Sequence, residues 1–388
     1  MNFKYPLAGE TISKDDINLL IEWLADYPRL TMGELTSEFE LKWAEYIGTE
    51  KSIFVNSGSS ANLLMVYLGL VLGKLNEGDK VIVPSCGWAT TIAPIIQFGL
   101  IPIMVDSNRY NYGVDISEVE KICEKEEIKG MIFVHPLGVP CDKDEILSLK
   151  NKYNFFLMED CCASVGAKFS DGTKIGTIGD VSSFSFYFGH QLSTIEGGFV
   201  NTNNEEYYQR MLMLRSHGWV KDISGEFYNS NYKEWGIDTV NGAFNFIHSG
   251  FNIRSTDLQA FLGLLQLKKA DKIMRARNNN HIRYKETMNE EFTFQDWGNA
   301  WPVSLHIGIL AKNSKIRKRV LKACKNHNIE TRVWSHGNLG RHPFWSEKYG
   351  LFKGSWSDQI YSRGFILPTF PELKETDIDY ISEVCNNY

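Results

Sequence analysis

The chain has 388 residues, 43% of them hydrophobic and 23% charged, the balance of a soluble globular protein with room for roughly two or three domains. A formal net charge of −6 with no basic run argues against nucleic acid as a partner, and the most apolar stretch, Leu63–Leu72, is too short to span a bilayer and contains a glycine. Met1–Leu7 has neither an apolar core nor a cleavage-like site, and the seven cysteines form no C-x-C or C-x-x-C pair, so a cytoplasmic protein with reduced thiols is expected.

From about residue 50 to 205, short apolar runs alternate with helical stretches. Ser52–Val55, Lys80–Val83, Ile101–Val105, Met131–Val134, Asn154–Met158, Val181–Phe186 and Gly198–Asn201 read as buried strands, and Ala61–Leu72 and Asp115–Glu126 as helices between them. This alternation predicts an α/β fold. Its sheet should be mainly parallel and covered on both faces, with ligands at the strands' carboxyl ends. Asp222–Ser249 breaks the rhythm with polar and aromatic residues, as a long loop or excursion does. Beyond it, Asp257–Met274 reads as one helix, Val303–Leu310 as a strand, and Asn313–His327 and Thr376–Cys385 as helices. Residues 1–265 are read as a large domain and 266–388 as a smaller α+β domain.

Within this frame a few residues carry chemistry. Asn56-Ser57-Gly58-Ser59-Ser60 follows a strand and opens a helix, where free N–H groups and a side-chain-free glycine suit a phosphate. A plain Ser/Gly helix cap has the same composition. Asp160 ends a strand, either facing a ligand or capping the next helix. Trp88 follows another strand, either stacking on a ligand or packing in the core. His217, Asn252 and Arg254 lie in Arg215–Trp219 and Gly250–Arg254, each with an ordinary structural role also open to it.

The segment Ser185-Phe186-Tyr187-Phe188-Gly189-His190, running on to Glu196-Gly197-Gly198, resembles the cofactor-attachment stretch of the sugar-modifying, pyridoxal-phosphate (PLP) aminotransferases of fold type I. The similarity extends from Thr31–Glu34 to Gly337–Leu339. It implies a seven-stranded, mainly parallel sheet with a small C-terminal α+β domain. It also implies Gly58, Ser59 and Ser185 as phosphate ligands, Asp160 as partner of the pyridine nitrogen, and Trp88 on the cofactor ring. Asn252 would reach the phosphate of a neighbouring subunit, which makes the protein a homodimer with shared active sites, and His217 and Arg254 would contact substrate. One departure is Ala163, where the family often has a side chain near the ring oxygen.

A second departure matters more. The family's lysine is replaced by His190, and the sequence has no lysine between Lys174 and Lys221. An imidazole cannot hold the cofactor covalently, but it can move protons. This replacement resembles the branch that removes a C3 hydroxyl from nucleotide-diphospho-4-keto-6-deoxy sugars, typified by the GDP-4-keto-6-deoxymannose 3-dehydratases. Such a resemblance implies pyridoxamine phosphate (PMP) as the working form and His190 as acid and base. L-Glutamate would be the amino donor, with release of ammonia and a 4-keto-3,6-dideoxy sugar destined for surface polysaccharide. A sister group adds an iron–sulfur cluster, but with no cysteine between Cys162 and Cys324 no cluster is expected here. Gly337–Pro343 resembles that sister group and leaves open the nucleotide base and the choice of hexose or heptose. A conventional aminotransferase using a distant lysine and a non-catalytic ligand-binding homologue are the competing readings.

Overall fold

Seven strands, β1 (Lys51–Val55), β2 (Lys80–Pro84), β3 (Ile101–Val105), β4 (Gly130–Val134), β5 (Phe156–Asp160), β6 (Val181–Ser185) and β7 (Gly198–Thr202), form one sheet in the order β1-β7-β6-β5-β4-β2-β3. These come from a computed structural model that describes residues 3–9, 11–237, 240, 242–334 and 337–388. Strands β2 to β6 pair in parallel, while β7 runs antiparallel to both β6 and β1. Their apolar runs are nearly continuous because both faces are covered. Alternate residues feed separate cores: Phe54, Phe133, Phe184 and Phe199 on one side, Ile53, Val55, Val83, Met158 and Val200 on the other.

The first core is aromatic beneath β6 and β7. Trp43 packs edge-on to Phe184 and Phe186, and Phe54 stacks on Phe199 with centroids 4.8 Å apart. A buried ion pair between Glu40 and Arg215 clamps the helix Glu34–Ile47 to β1, whose Phe54 N–H also donates to Glu40 at 2.8 Å. The end of β6, where Ser185 stands, is therefore on a rigid base.

A second, antiparallel sheet has the order β10-β11-β9-β8, from β8 (Phe292–Phe294), β9 (Ile307–Ala311), β10 (Arg332–Val333) and β11 (Gly364–Leu367). Helices Ser314–Asn326 and Glu375–Asn386 share its core, and Tyr5 joins it from the N-terminal segment. Among the described residues, no helix is long and apolar enough to cross a membrane.

Several expected elements differ. Asp257–Met274 is two helices, Asp257–Leu267 and Ala270–Thr287, broken at Lys268–Lys269. Apolar spacing continues across the break, so periodicity alone does not reveal it. At the break, Lys269 pairs with buried Asp16 at 2.6 Å, a tertiary contact that spacing does not show. The expected strand Val303–Leu310 begins only at Ile307, because Val303 and Leu305 instead donate to the carbonyls of Gly138 and Leu137. Asn154 is not in a strand but caps the helix Lys143–Tyr153 with a left-handed φ of 53°, a conformation asparagine tolerates. The excursion Asp222–Ser249, of which 238, 239 and 241 lie outside the described residues, holds a short helix, Gly225–Asn231. Phe227, Tyr228, Tyr232 and Trp235 there pack on a small core of Met213, Val220 and Ile237.

Candidate active site

The site collects at the carboxyl ends of β5 and β6 and at the helix that follows β1. Ser57 caps that helix, Gly58–Val71, its hydroxyl accepting the Ser60 N–H at 3.0 Å. A Cβ on Gly58 would lie 2.6 Å from Ser185 Cβ and 2.9 Å from Cys162 Sγ. Only glycine lets the first turn of the helix close on the end of β6, which brings its free N–H groups beside the Ser185 hydroxyl. Gly198 is under the same constraint, since a Cβ there would fall 2.4 Å from the Ser57 carbonyl. Ser59, exposed at the mouth, donates to Thr90 Oγ1 at 3.0 Å. The cradle thus fits a phosphate. Gly58→Ala should weaken PLP affinity by about 10- to 100-fold, the effect of roughly 1–3 kcal/mol of overpacking, measurable by fluorescence titration.

Asp160, buried at the end of β5, accepts from Asn62 Nδ2 at 2.9 Å, Thr91 Oγ1 at 2.7 Å and the Cys162 N–H at 3.0 Å. Sequence reasoning missed Asn62 and Thr91, although each is a polar residue at a buried position of an otherwise apolar helix. Just before Asp160, Glu159 and His135 form a fully buried pair at 3.0 Å. His135 Nδ1 accepts the Cys141 N–H, so Nε2 carries the proton given to Glu159. Although burial alone would raise it, the Glu159 carboxyl is held below its ordinary range by His135 and by the N–H groups of Gly176 and Gly179. With Cys161 these two side chains are close enough to surround an ion. Their donors and acceptors are already spent on one another and on backbone, which makes the cluster a brace for β5.

His190 lies in the loop between β6 and β7, its N–H donating to the Tyr187 carbonyl at 2.9 Å and its ring edge-on to Tyr187. The residue is half-buried, and its Nδ1 is buried without a hydrogen-bond partner. Loss of hydration pushes the imidazole down to about 4, against smaller opposing effects of the Cys162 backbone and the Asp160 charge. Because the unfolded chain takes up this proton first, the buried ring destabilises the fold as pH drops below its ordinary 6.5. Histidine resonances of the cofactor-free protein, assigned against His190→Asn, should show His190 neutral at pH 7 and titrating near 4. A midpoint at or above 6.5 would refute the buried environment.

Gln191, also missed, is fully buried and donates to the Ala163 carbonyl at 2.7 Å and the Val303 carbonyl at 3.0 Å. It ties the His190 loop to the turn after Asp160 and to the chain entering the second sheet. Trp88 precedes the helix Ala89–Gln97 and is 53% exposed, which excludes core packing and leaves indole surface accessible.

His217, Asn252 and Arg254 form a separate group. Arg254 reaches Asn252 Oδ1 at 3.1 Å and His217 Nε2 at 3.5 Å, while the Asn56 N–H donates to the Ile253 carbonyl. Both His217 and Asn252 are exposed, and the segment that holds Asn252 and Arg254 pairs with Ser216 and with Val55 at the end of β1. A surface hollow of about 1270 Å³, lined by Asp142, Lys143, Asp171, Asp296 and Trp297 among others, contains none of these residues.

Residues 11–386 match the DegT/DnrJ/EryC1/StrS aminotransferase family. The chain belongs to that family. Its members are PLP-dependent, sugar-modifying enzymes, and the seven-stranded sheet is their fold. GDP-4-keto-6-deoxy-D-mannose 3-dehydratase of Yersinia pseudotuberculosis is 36% identical over 73% of this chain and 71% of its own length. GDP-perosamine synthase of Escherichia coli O157:H7 is 29% identical over 92% of this chain and 90% of its own. The crystal structure of a GDP-4-keto-6-deoxymannose-3-dehydratase with a trapped PLP-glutamate geminal diamine superposes with a TM-score of 0.86, at 26% identity over 98% of this chain and 100% of that one. The DegT family's cofactor needs an anion cradle, a carboxylate and a proton-transfer group. The Gly58–Ser185 hollow, Asp160 and His190 are residues of those kinds within one site.

Proposed function

We propose that this protein is a nucleotide-diphospho-4-keto-6-deoxysugar 3-dehydratase that uses PLP/PMP without a covalent link, with His190 as its acid and base. The observation that carries this reading is an imidazole where the family's lysine belongs. The lysines flanking that position in sequence are engaged elsewhere, Lys174 with the Tyr46 carbonyl and ring and Lys221 with the Trp219 ring. Likeness to the 3-dehydratases in sequence and structure supports it.

The cofactor, when bound, supplies an electron sink through which the sugar's C3 hydroxyl can leave. Gly58, Ser59 and Ser185 hold its phosphate, and Asp160 keeps its pyridine nitrogen protonated. Trp88 would stack on the ring, a contact worth about 1 kcal/mol beyond area burial. His190, neutral because it is poorly hydrated, accepts a proton at the cofactor's C4′ carbon and returns one to the departing hydroxide. Ammonia is released with the 4-keto-3,6-dideoxy sugar, and L-glutamate is the amino donor for the next turnover. Cys161 and Cys162 lie beside Asp160, and Cys324 faces Cys385 in the second core.

Exposed Trp88, Tyr187, Phe188 and Ile195 leave one side of the site uncovered, which supports a homodimer. In that assembly Asn252, His217 and Arg254 serve the neighbouring subunit's cofactor and substrate. A domain boundary near residue 265 lies just ahead of the helix break at Lys268–Lys269, with Asp160 and His190 on its first side.

The likeness to a perosamine synthase favours amino transfer as a second reading. Purified protein with PLP and L-glutamate, offered a panel of GDP- and CDP-linked 4-keto-6-deoxy sugars, separates the two. Loss of the C3 oxygen with matching ammonia supports dehydration. Nitrogen retained on the sugar makes the protein an aminotransferase, and inertness toward every substrate makes it a binding homologue.

A further inference from the structure

Three polar side chains from three different elements, Asn62, Thr91 and Ser183, meet behind the Asp160 carboxylate. Asn62 and Thr91 come from helices whose neighbouring buried positions are apolar, and both are essentially inaccessible to solvent. A buried amide or hydroxyl without a partner costs about 1–3 kcal/mol, so their placement demands fixed bonds. Ser183 of β6 donates to Asn62 Oδ1 at 2.6 Å, which sets the amide orientation and turns its NH2 toward Asp160. Thr91 gives its hydroxyl proton to the same carboxylate oxygen, Oδ2, at 2.7 Å. Two donors thus engage Oδ2, whereas Oδ1 receives only the Cys162 N–H and retains a second lone pair.

We propose that Asn62 and Thr91 are positioning residues that orient Asp160 so that its Oδ1 faces the pyridine nitrogen. This rests on the cofactor reading above and extends it to residues that never touch the cofactor. Every neighbour bonded to the carboxylate is a donor, so an ionised Asp160 satisfies all of them and a rotated one leaves at least one unpaired. The network also joins the elements that build the pocket. Thr91 donates its N–H to the Trp88 carbonyl, Asn62 lies one turn along from Gly58, and Ser183 precedes Ser185 by two residues.

The test uses the full-length protein and PLP alone, read by fluorescence titration and by the pH dependence of the bound cofactor's absorption band. Thr91→Val, nearly isosteric, should weaken PLP binding about tenfold, the worth of one bond to a charged group, and move the band's transition to lower pH because Asp160 is no longer held toward the ring nitrogen. Thr91→Ser should restore both. Ser183→Ala, which frees the Asn62 amide to turn over, should move both readouts the same way by a smaller amount and guards against misfolding of the first variant. Native affinity and spectrum in Thr91→Val and Ser183→Ala, alongside their loss in Asp160→Asn, would overturn the positioning role and leave the cofactor reading intact. Unchanged binding and spectrum in Asp160→Asn itself would remove the cofactor reading.

Discussion

Replacing His190 by asparagine should lower the proposed dehydration by about 10²- to 10⁴-fold, the usual worth of a positioned acid–base group, and should largely keep PLP binding. Binding should survive because the proposed phosphate ligands at Gly58 and Ser185, which pack against each other, are untouched, as are Asp160 and Trp88. Asparagine is planar and polar but cannot accept a proton near neutral pH. His190→Lys separates the chemistry further. Borohydride should fix the cofactor to the chain in that variant and not in the native protein, with most dehydration lost. Mass spectrometry of the reduced polypeptides and an assay for loss of the C3 oxygen provide the two measurements. Full dehydration by either variant would deny His190 its role, and a covalent adduct in the native protein would reveal a lysine elsewhere.

Asp160→Asn is expected to be as damaging for a different reason. An opposite charge beside the ring nitrogen is worth about 1–3 pKa units, so the protonated fraction should drop about 10- to 1000-fold where that nitrogen would otherwise be neutral. Dehydration should fall at least about 100-fold, and the bound cofactor's spectrum should change with it. The fold also suffers. Asn62, Thr91 and the Cys162 N–H all donate to this side chain, and an amide can accept only at one end. One buried donor is left facing an NH2 group, at a cost of about 1–3 kcal/mol that thermal unfolding would register. An Asp160→Asn variant with native turnover would exclude the ring-nitrogen contact.

The strands were legible because the parallel sheet is covered on both faces, which writes Val81–Val83 and Met131–Val134 as unbroken apolar runs. The helix ends were less so. Asn154 opens a strand or closes a helix equally well by composition, and its left-handed φ is settled by the helix it terminates. Likewise Val303–Leu305 has the composition of a strand but bonds to the loop at Leu137–Gly138.

Local chemistry was written in the chain itself: a glycine where a helix must close on a neighbour, a carboxylate at a strand end, an imidazole in place of a lysine. Each is a choice of residue type at one position, dictated by charge, size or proton affinity, and such choices need no neighbours to be recognised. Tertiary packing alone chose which distant atoms meet. Ser185 lies against Gly58, Asn62 and Thr91 converge on Asp160, and Gln191 joins Ala163 to Val303. Hydrogen bonds are short-ranged and directional, so residues far apart in the chain acquire these partners only when the sheet and its helices hold them within about 3 Å.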